Sequence, residues 1–270
     1  MKLATYFSRC FIILVLVACL TIADQEVDDE REFSYDEDSE IGPAHWGEIR
    51  PEWRNCSTGR MQSPIDLLNH RVEIVSYLGR LKRAYKPSNA TLINRGHDIM
   101  LRWQDAGHIQ INGTIFQLRQ CHWHSPSEHT INGRRFNMEI HLVHQSNDNR
   151  TAVIGIMYQI GRPDSFLSMM KPNFEAVAEK RNVEIDVGII DPKLIKFGSR
   201  KYYRYIGSLT TPPCSPNVIW TIVRKVRTVS REQVELIRDA VHDESEANAR
   251  PLQPIRDRKV ELYRPRDPEN

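Results

Sequence analysis

The chain has 270 residues, 40% hydrophobic and 27% charged, with a formal net charge of +2. That length supports one large domain or two small ones, and the apolar content excludes disorder throughout. Fifteen Pro and 13 Gly without a period exclude a fibrous repeat, and five Cys are too few for a disulfide-dense scaffold.

Residues 1–23 read as a secretory signal. Lys2 and Arg9 make a basic start, and 11–20 (FIILVLVACL) is an apolar run of ten residues. A bilayer span takes about 20. Thr21-Ile22-Ala23 offers small residues for cleavage. No membrane span is expected in the mature chain, which loses two basic residues and becomes formally neutral. Residues 24–40 (DQEVDDEREFSYDEDSE) hold ten acids and one Arg, and are expected to form a flexible acidic tail. Residues 41–270 keep 34 basic and 25 acidic residues, so the body is basic. The basic residues stand singly and in pairs, which argues against nucleic-acid binding. Cleavage leaves Cys56, Cys121 and Cys214, which fits one disulfide and one free thiol, the pairing left open by the spacing. Sequons at Asn55, Asn89, Asn112 and Asn149 are expected glycosylation sites in a secreted protein.

After residue 40 no second composition shift marks another domain. Strands are predicted over 98–104 (DIMLRWQ), Thr114–His124, 136–145 (FNMEIHLVHQ), Thr151–Ile160 and 217–226 (NVIWTIVRKV), all rich in β-branched and aromatic residues. Asn112-Gly113 and Asn132-Gly133 are turn signals. One helix is predicted within 164–181, interrupted at Pro172. A second covers 230–241, with Ser230 and Gln233 as a capping box. Strands in succession with two helices imply a mostly β, predominantly antiparallel fold. No glycine-rich phosphate loop and no Gly-x-Ser-x-Gly elbow are present, which argues against a nucleotide enzyme and an α/β-hydrolase.

Residues 120–129 read QCHWHSPSEH. On a strand His122 and His124 share one face, while Cys121 and Trp123 take the other. The next strand offers Glu139, His141 and Val143 on one face and Leu142 and His144 on the other, so His141 or His144 could complete a trio. Three imidazoles with one open position make a catalytic zinc arrangement, and no closely spaced Cys pair is present to close it.

The segments 62–66 (QSPID), 94–97 (NRGH), 120–130 (QCHWHSPSEHT), 139–144 (EIHLVH), 207–213 (GSLTTPP) and 248–254 (NARPLQP) resemble, in order and spacing, the α-class carbonic anhydrases, the plant secreted members most closely. The resemblance covers about 42–263. It implies a single domain over 41–270, built on a large twisted sheet. It implies reversible hydration of carbon dioxide to bicarbonate by zinc-bound hydroxide, with His122, His124 and His141 as ligands. Gln120 and Glu139 would hold the ligand imidazoles, and His129 would be a structural histidine in the network with Glu128. Thr210, donating to Glu128, would orient the nucleophile, and Thr211 would contact bicarbonate. Val143, Val153, Leu209 and Trp220 would form the carbon dioxide pocket, and His97, mobile and facing the cavity, would shuttle protons. Extracellular relatives imply a Cys56–Cys214 bridge with Cys121 free. Arg95, Met100 and Glu48 depart from the family's cavity residues and put the proton path in question. The resemblance leaves a non-enzymatic secreted storage or binding protein as the alternative function. The apoplast is the expected destination, with the plastid stroma, reached by the same route, as the alternative.

Overall fold

The computed structural model describes residues 32–178, 183–239 and 247–265. The expected signal segment and the first part of the acidic tail lie outside the described residues. The later part of that tail is not a free appendage. Phe33 and Tyr35 are 2% and 4% exposed and pack edge-on against Trp46. A turn closed by Ser34 N–H to the Ile41 carbonyl (2.9 Å) brings them there. Charge dominates the composition of this stretch, but two aromatic rings dock it, with the Trp46 indole N–H donating to the Ser34 carbonyl at 2.9 Å and Arg50 paired with Glu32.

The sheet contains ten strands along its main path: β1 (Val72–Val75), β2 (Ser88–Asn94), β3 (Ile99–Trp103), β4 (Thr114–His124), β5 (Met138–Ser146), β6 (Thr151–Ile160), β7 (Val183–Ile190), β8 (Tyr202–Ser208), β9 (Pro216–Val223) and β10 (Val260–Tyr263). Their spatial order is β7-β2-β3-β4-β5-β6-β9-β8-β10-β1. On this path β6–β9 and β10–β1 are parallel and the rest antiparallel, so the expected sheet is present with two parallel contacts. Asn112-Gly113 and Asn132-Gly133 take positive φ at both residues, as tight hairpin turns require.

Alternation divides the side chains between two cores. Cys121, Trp123, Ile140 and Leu142 point into the larger one, beneath helix α1 (Ser165–Ala178). Val153, Leu209 and Trp220 belong to the second. Pro172 does not interrupt α1, contrary to the sequence reading. The Asp164 carboxylate accepts from the N–H groups of Phe166 and Leu167, and Phe166, Leu167, Met170, Phe174 and Val177 are buried. Five such side chains, at roughly 1.5–3 kcal/mol each, outweigh the ~3 kcal/mol cost of an interior proline. Helix α2 (Arg231–Asp239) starts with the expected capping box: Gln233 N–H donates to Ser230 Oγ, and Ser230 N–H to Gln233 Oε1, both at 3.2 Å. Among the described residues no helix is long and apolar enough to cross a membrane.

Candidate metal centre

The pairing of β4 and β5 builds the site. His141 stands directly opposite His122, and Glu139 opposite His124. A bulge between Val143 and His144 shifts the register just beyond. His122, His124 and His141 therefore converge, with one potential ligand atom from each within 4.8 Å of the others. His144 lies on the far face: Tyr85 Oη donates to its Nε2 at 2.7 Å, and its Nδ1 donates to the Ala152 carbonyl at 3.3 Å. Those partners occupy both ring nitrogens.

Each clustered ring has one nitrogen fixed by an acceptor. His122 Nδ1 donates to Gln120 Oε1 (2.9 Å), His124 Nδ1 to the Asn248 carbonyl (2.7 Å) and His141 Nε2 to Glu139 Oε1 (2.9 Å). The nitrogens left facing one another are His122 Nε2, His124 Nε2 and His141 Nδ1. Gly155, opposite His141, makes room for this arrangement: a Cβ there would stand 2.7 Å from Glu139 Oε1. His129 joins Glu139 and not Glu128, contrary to the sequence reading: Glu139 accepts from the His129 backbone N–H (2.9 Å) and from His129 Nδ1 (2.8 Å), while His129 Nε2 meets Tyr205 Oη at 2.7 Å. Burial alone would raise Glu139, but His129 and His141 hold its carboxyl well below the usual range. Burial pushes His122 and His141 below the ordinary imidazole value and so favours the neutral form that binds metal.

His124 Nε2 and Glu128 Oε2 are buried with no hydrogen-bond partner. Glu128 Oε2 lies 3.7 Å from His124 Nε2 and 3.9 Å from His141 Nδ1. Leaving such atoms buried without a partner is costly. Burial alone would lower His124, but its neighbours, the Glu128 carboxylate first among them, raise it above the ordinary imidazole value. Three imidazole nitrogens beside a carboxylate form a donor set that fits Zn2+.

The other expected residues fall around this centre, with two differences. Thr210 and Thr211 are buried at 2% and 1% exposure, on the loop after β8. Glu128 is also buried, but the expected hydrogen bond from Thr210 is not formed. Glu128 Oε1 instead accepts from Arg250 N–H (2.9 Å), and Oε2 leans toward the imidazoles. The second difference is His97, which is 1% exposed rather than mobile in an open cavity. Phe33 covers it at 5.0 Å between ring centroids, and its backbone carbonyl accepts from Asn248 Nδ2 at 2.9 Å. Val153, Leu209 and Trp220 form one apolar cluster with Val143 packed on it, and the Trp220 ring lies 4.8 Å from that of His141.

Arg95, whose Nε donates to Asp98 Oδ1 at 2.7 Å, forms a buried ion pair with Asp98. Met100 is the cross-strand neighbour of His122, and Glu48 is an exposed residue paired with His45. Cys56 and Cys214 form a disulfide, and Cys121 is a buried free thiol. Burial raises the Cys121 pKa well above its usual value. All four sequon asparagines are exposed.

Asn248 and Arg250 belong to the site although their residue types alone carry no sign of it. The Asn248 carbonyl orients His124 while its side chain accepts from Ser125 N–H (2.8 Å). Arg250 reaches Gln62 Oε1, the Ser63 carbonyl and the Cys56 carbonyl, each at 2.8 Å. The segment that carries both residues was the only signal.

A large, mostly antiparallel sheet thus presents a buried three-histidine centre that could hold a metal ion. The model of the eukaryotic-type carbonic anhydrases matches residues 41–264, and the chain belongs to that family. It is 58% identical to alpha carbonic anhydrase 7 of Arabidopsis thaliana over 263 residues, 96% of each chain. A solved structure of dioscorin complexed with ascorbate superposes with a TM-score of 0.85 at 42% identity, covering 87% of this chain and 99% of that one. The α-carbonic anhydrase of Thermovibrio ammonificans, solved with the inhibitor sulfanilamide, gives 0.78 at 34%, covering 85% and 98%.

Proposed function

We propose that this chain hydrates carbon dioxide reversibly to bicarbonate and a proton, using one zinc ion held by His122, His124 and His141. The observation that carries this is the trio of ring nitrogens turned toward one another, each ring locked from behind by Gln120, Asn248 or Glu139. A bound zinc ion would activate water near neutral pH, an effect for which carbonic anhydrases are the type case. The protein's own residues do the rest. The three acceptors fix tautomer and ring plane. Val143, Val153, Leu209 and Trp220 offer an apolar wall suited to a small apolar substrate. Thr210, by donating to Glu128, would present a lone pair that orients the attacking oxygen, and Thr211 would contact the product. The Glu128 carboxylate must turn from the imidazoles to accept that bond. His97 would relay the proton, and Phe33 must then move aside.

A second reading, a non-enzymatic storage or binding protein, is favoured by the likeness to dioscorin. The intact histidines and threonines favour the enzyme. Carbon dioxide hydration by the wild type and by His141→Ala separates the two readings. Activity in the wild type that His141→Ala abolishes supports the enzyme, and an inactive wild type that binds one equivalent of zinc supports the second. The disulfide and the plant relatives support a secretory route to the apoplast, with the exposed sequons glycosylated on the way.

A further inference from the structure

The body of the chain carries a basic surplus that looks scattered in sequence, but the fold gathers part of it. Tyr202 and Arg204 on β8 stand opposite Val223 and Thr221 on β9. Trp220 faces His141, so Thr221 projects from the other side of the sheet. Segments 80–83 and 197–200 cover that side and leave a cleft of about 410 Å3, counting its open mouth. It is lined by Arg80, Arg83, Phe197, Arg200, Tyr202 and Thr221, among others, with no carboxylate in the lining.

Two of the guanidinium groups, those of Arg83 and Arg204, are held in place. Arg83 stacks 3.7 Å above the Phe197 ring centroid. Tyr202 Oη donates to the Gly79 carbonyl at 2.9 Å and so fixes the turn that precedes Arg80. Arg204, 7% exposed, lies behind Thr221, donates to its Oγ1 at 3.1 Å and lies over the Tyr202 ring. Among the described residues none of these four arginines is in an ion pair. Glu261, across from Arg204, is engaged by Tyr77 and Lys259. Burial lowers both Arg83 and Arg204 from the usual arginine value, and Arg80 adds repulsion at Arg83. Only Arg204 of the four is buried, where a cation without a counter-ion is costly; Arg80, Arg83 and Arg200 line the cleft as exposed side chains, and arginine forks match oxyanions in geometry.

We propose that this cleft is an anion site for a doubly charged tetrahedral oxyanion, a phosphate or sulfate group, either free or at the end of a small ester. A single negative charge would leave most of the arginine charge unmatched, which favours the dianion. The proposal does not depend on the zinc reading, because the cleft lies on the opposite face of the sheet.

The test is calorimetric titration of the zinc-replete mature protein with inorganic phosphate and, separately, with glucose 6-phosphate. Ionic strength is held constant with sodium chloride. One site per chain with a dissociation constant of about 1 mM or tighter, some 4 kcal/mol, is expected. The better ligand of the two identifies the source, free anion or ester. Arg83→Gln/Arg200→Gln should weaken binding by at least about tenfold, or 1.4 kcal/mol, while carbon dioxide hydration is unchanged. Arg80→Gln, a single change, serves if the double variant does not fold, with the same direction of change. Undetectable binding by the wild type at 10-fold higher ligand, or equal binding by the variants, overturns the proposal. The second result would place the anion at the histidine centre.

Discussion

Replacing both bridge residues, as Cys56→Ala/Cys214→Ala, opens a loop whose ends are 158 residues apart. Chain-entropy arithmetic for that separation gives about 5 kcal/mol, and measured bridges return roughly 2–5. The lower half applies here, because the native structure holds both backbone segments by other means. Gln62 Nε2 donates to the Cys214 carbonyl at 3.2 Å, and Arg250 to that of Cys56 at 2.8 Å. A loss of about 3 kcal/mol corresponds to a fall in Tm of roughly 6–12 °C for a domain of this size. Thermal unfolding followed by circular dichroism, at one scan rate, measures it. Zinc content should stay at one per chain, because no ligand lies between Thr210 and Cys214. Hydration should fall, because the same loop carries Thr210 and Thr211, with Cys214 N–H donating to the Thr211 carbonyl at 2.8 Å. A fall in Tm below about 3 °C would refute the reasoning and mean that Gln62 and Arg250 already supply the constraint.

His144→Gln should retain zinc by metal analysis, whereas His141→Ala should lose it; the reverse pattern would mean that the wrong strand face has been assigned. Burial pushes His144 down to about 3. Between that value and its ordinary 6.5 the unfolded chain binds a proton that the folded chain does not. This contribution to stability is full above about pH 6.5 and falls with pH by roughly 1.4 kcal/mol per unit toward pH 3. Urea midpoints from pH 7 to pH 4 should therefore drop less steeply in His144→Gln than in the wild type, and equal slopes would remove His144 from the account. His97→Ala should keep its zinc and lose turnover in dilute non-imidazole buffer, with added imidazole restoring much of it. Turnover equal to wild type would make His97 a packing residue beneath Phe33.

The sheet was legible because its strands carry alternating apolar residues, and Thr114–His124 and Thr151–Ile160 have the bounds that the sequence suggests. Ser230 and Gln233 announced α2 through purely local chemistry. Pro172 misled because the burial that holds α1 together comes from distant parts of the chain. At the centre, alternation paired His122 with His124 but left His141 and His144 open. The β4–β5 register places His141 opposite His122, in agreement with the family resemblance. Asn248 was not legible as a partner of His124, since a backbone carbonyl 124 residues away leaves no residue-type signature. The docking of Phe33 on His97 was hidden for a similar reason, because ten acids in its stretch outweighed two rings in any compositional reading.

The most direct test of zinc-dependent hydration is to add zinc stepwise to metal-free mature protein and follow carbon dioxide hydration by stopped flow. The expected result is no activity above the buffer blank at the start, a linear rise, and a sharp break at one equivalent per chain. Activity independent of added zinc, or none after one equivalent is bound, would contradict it.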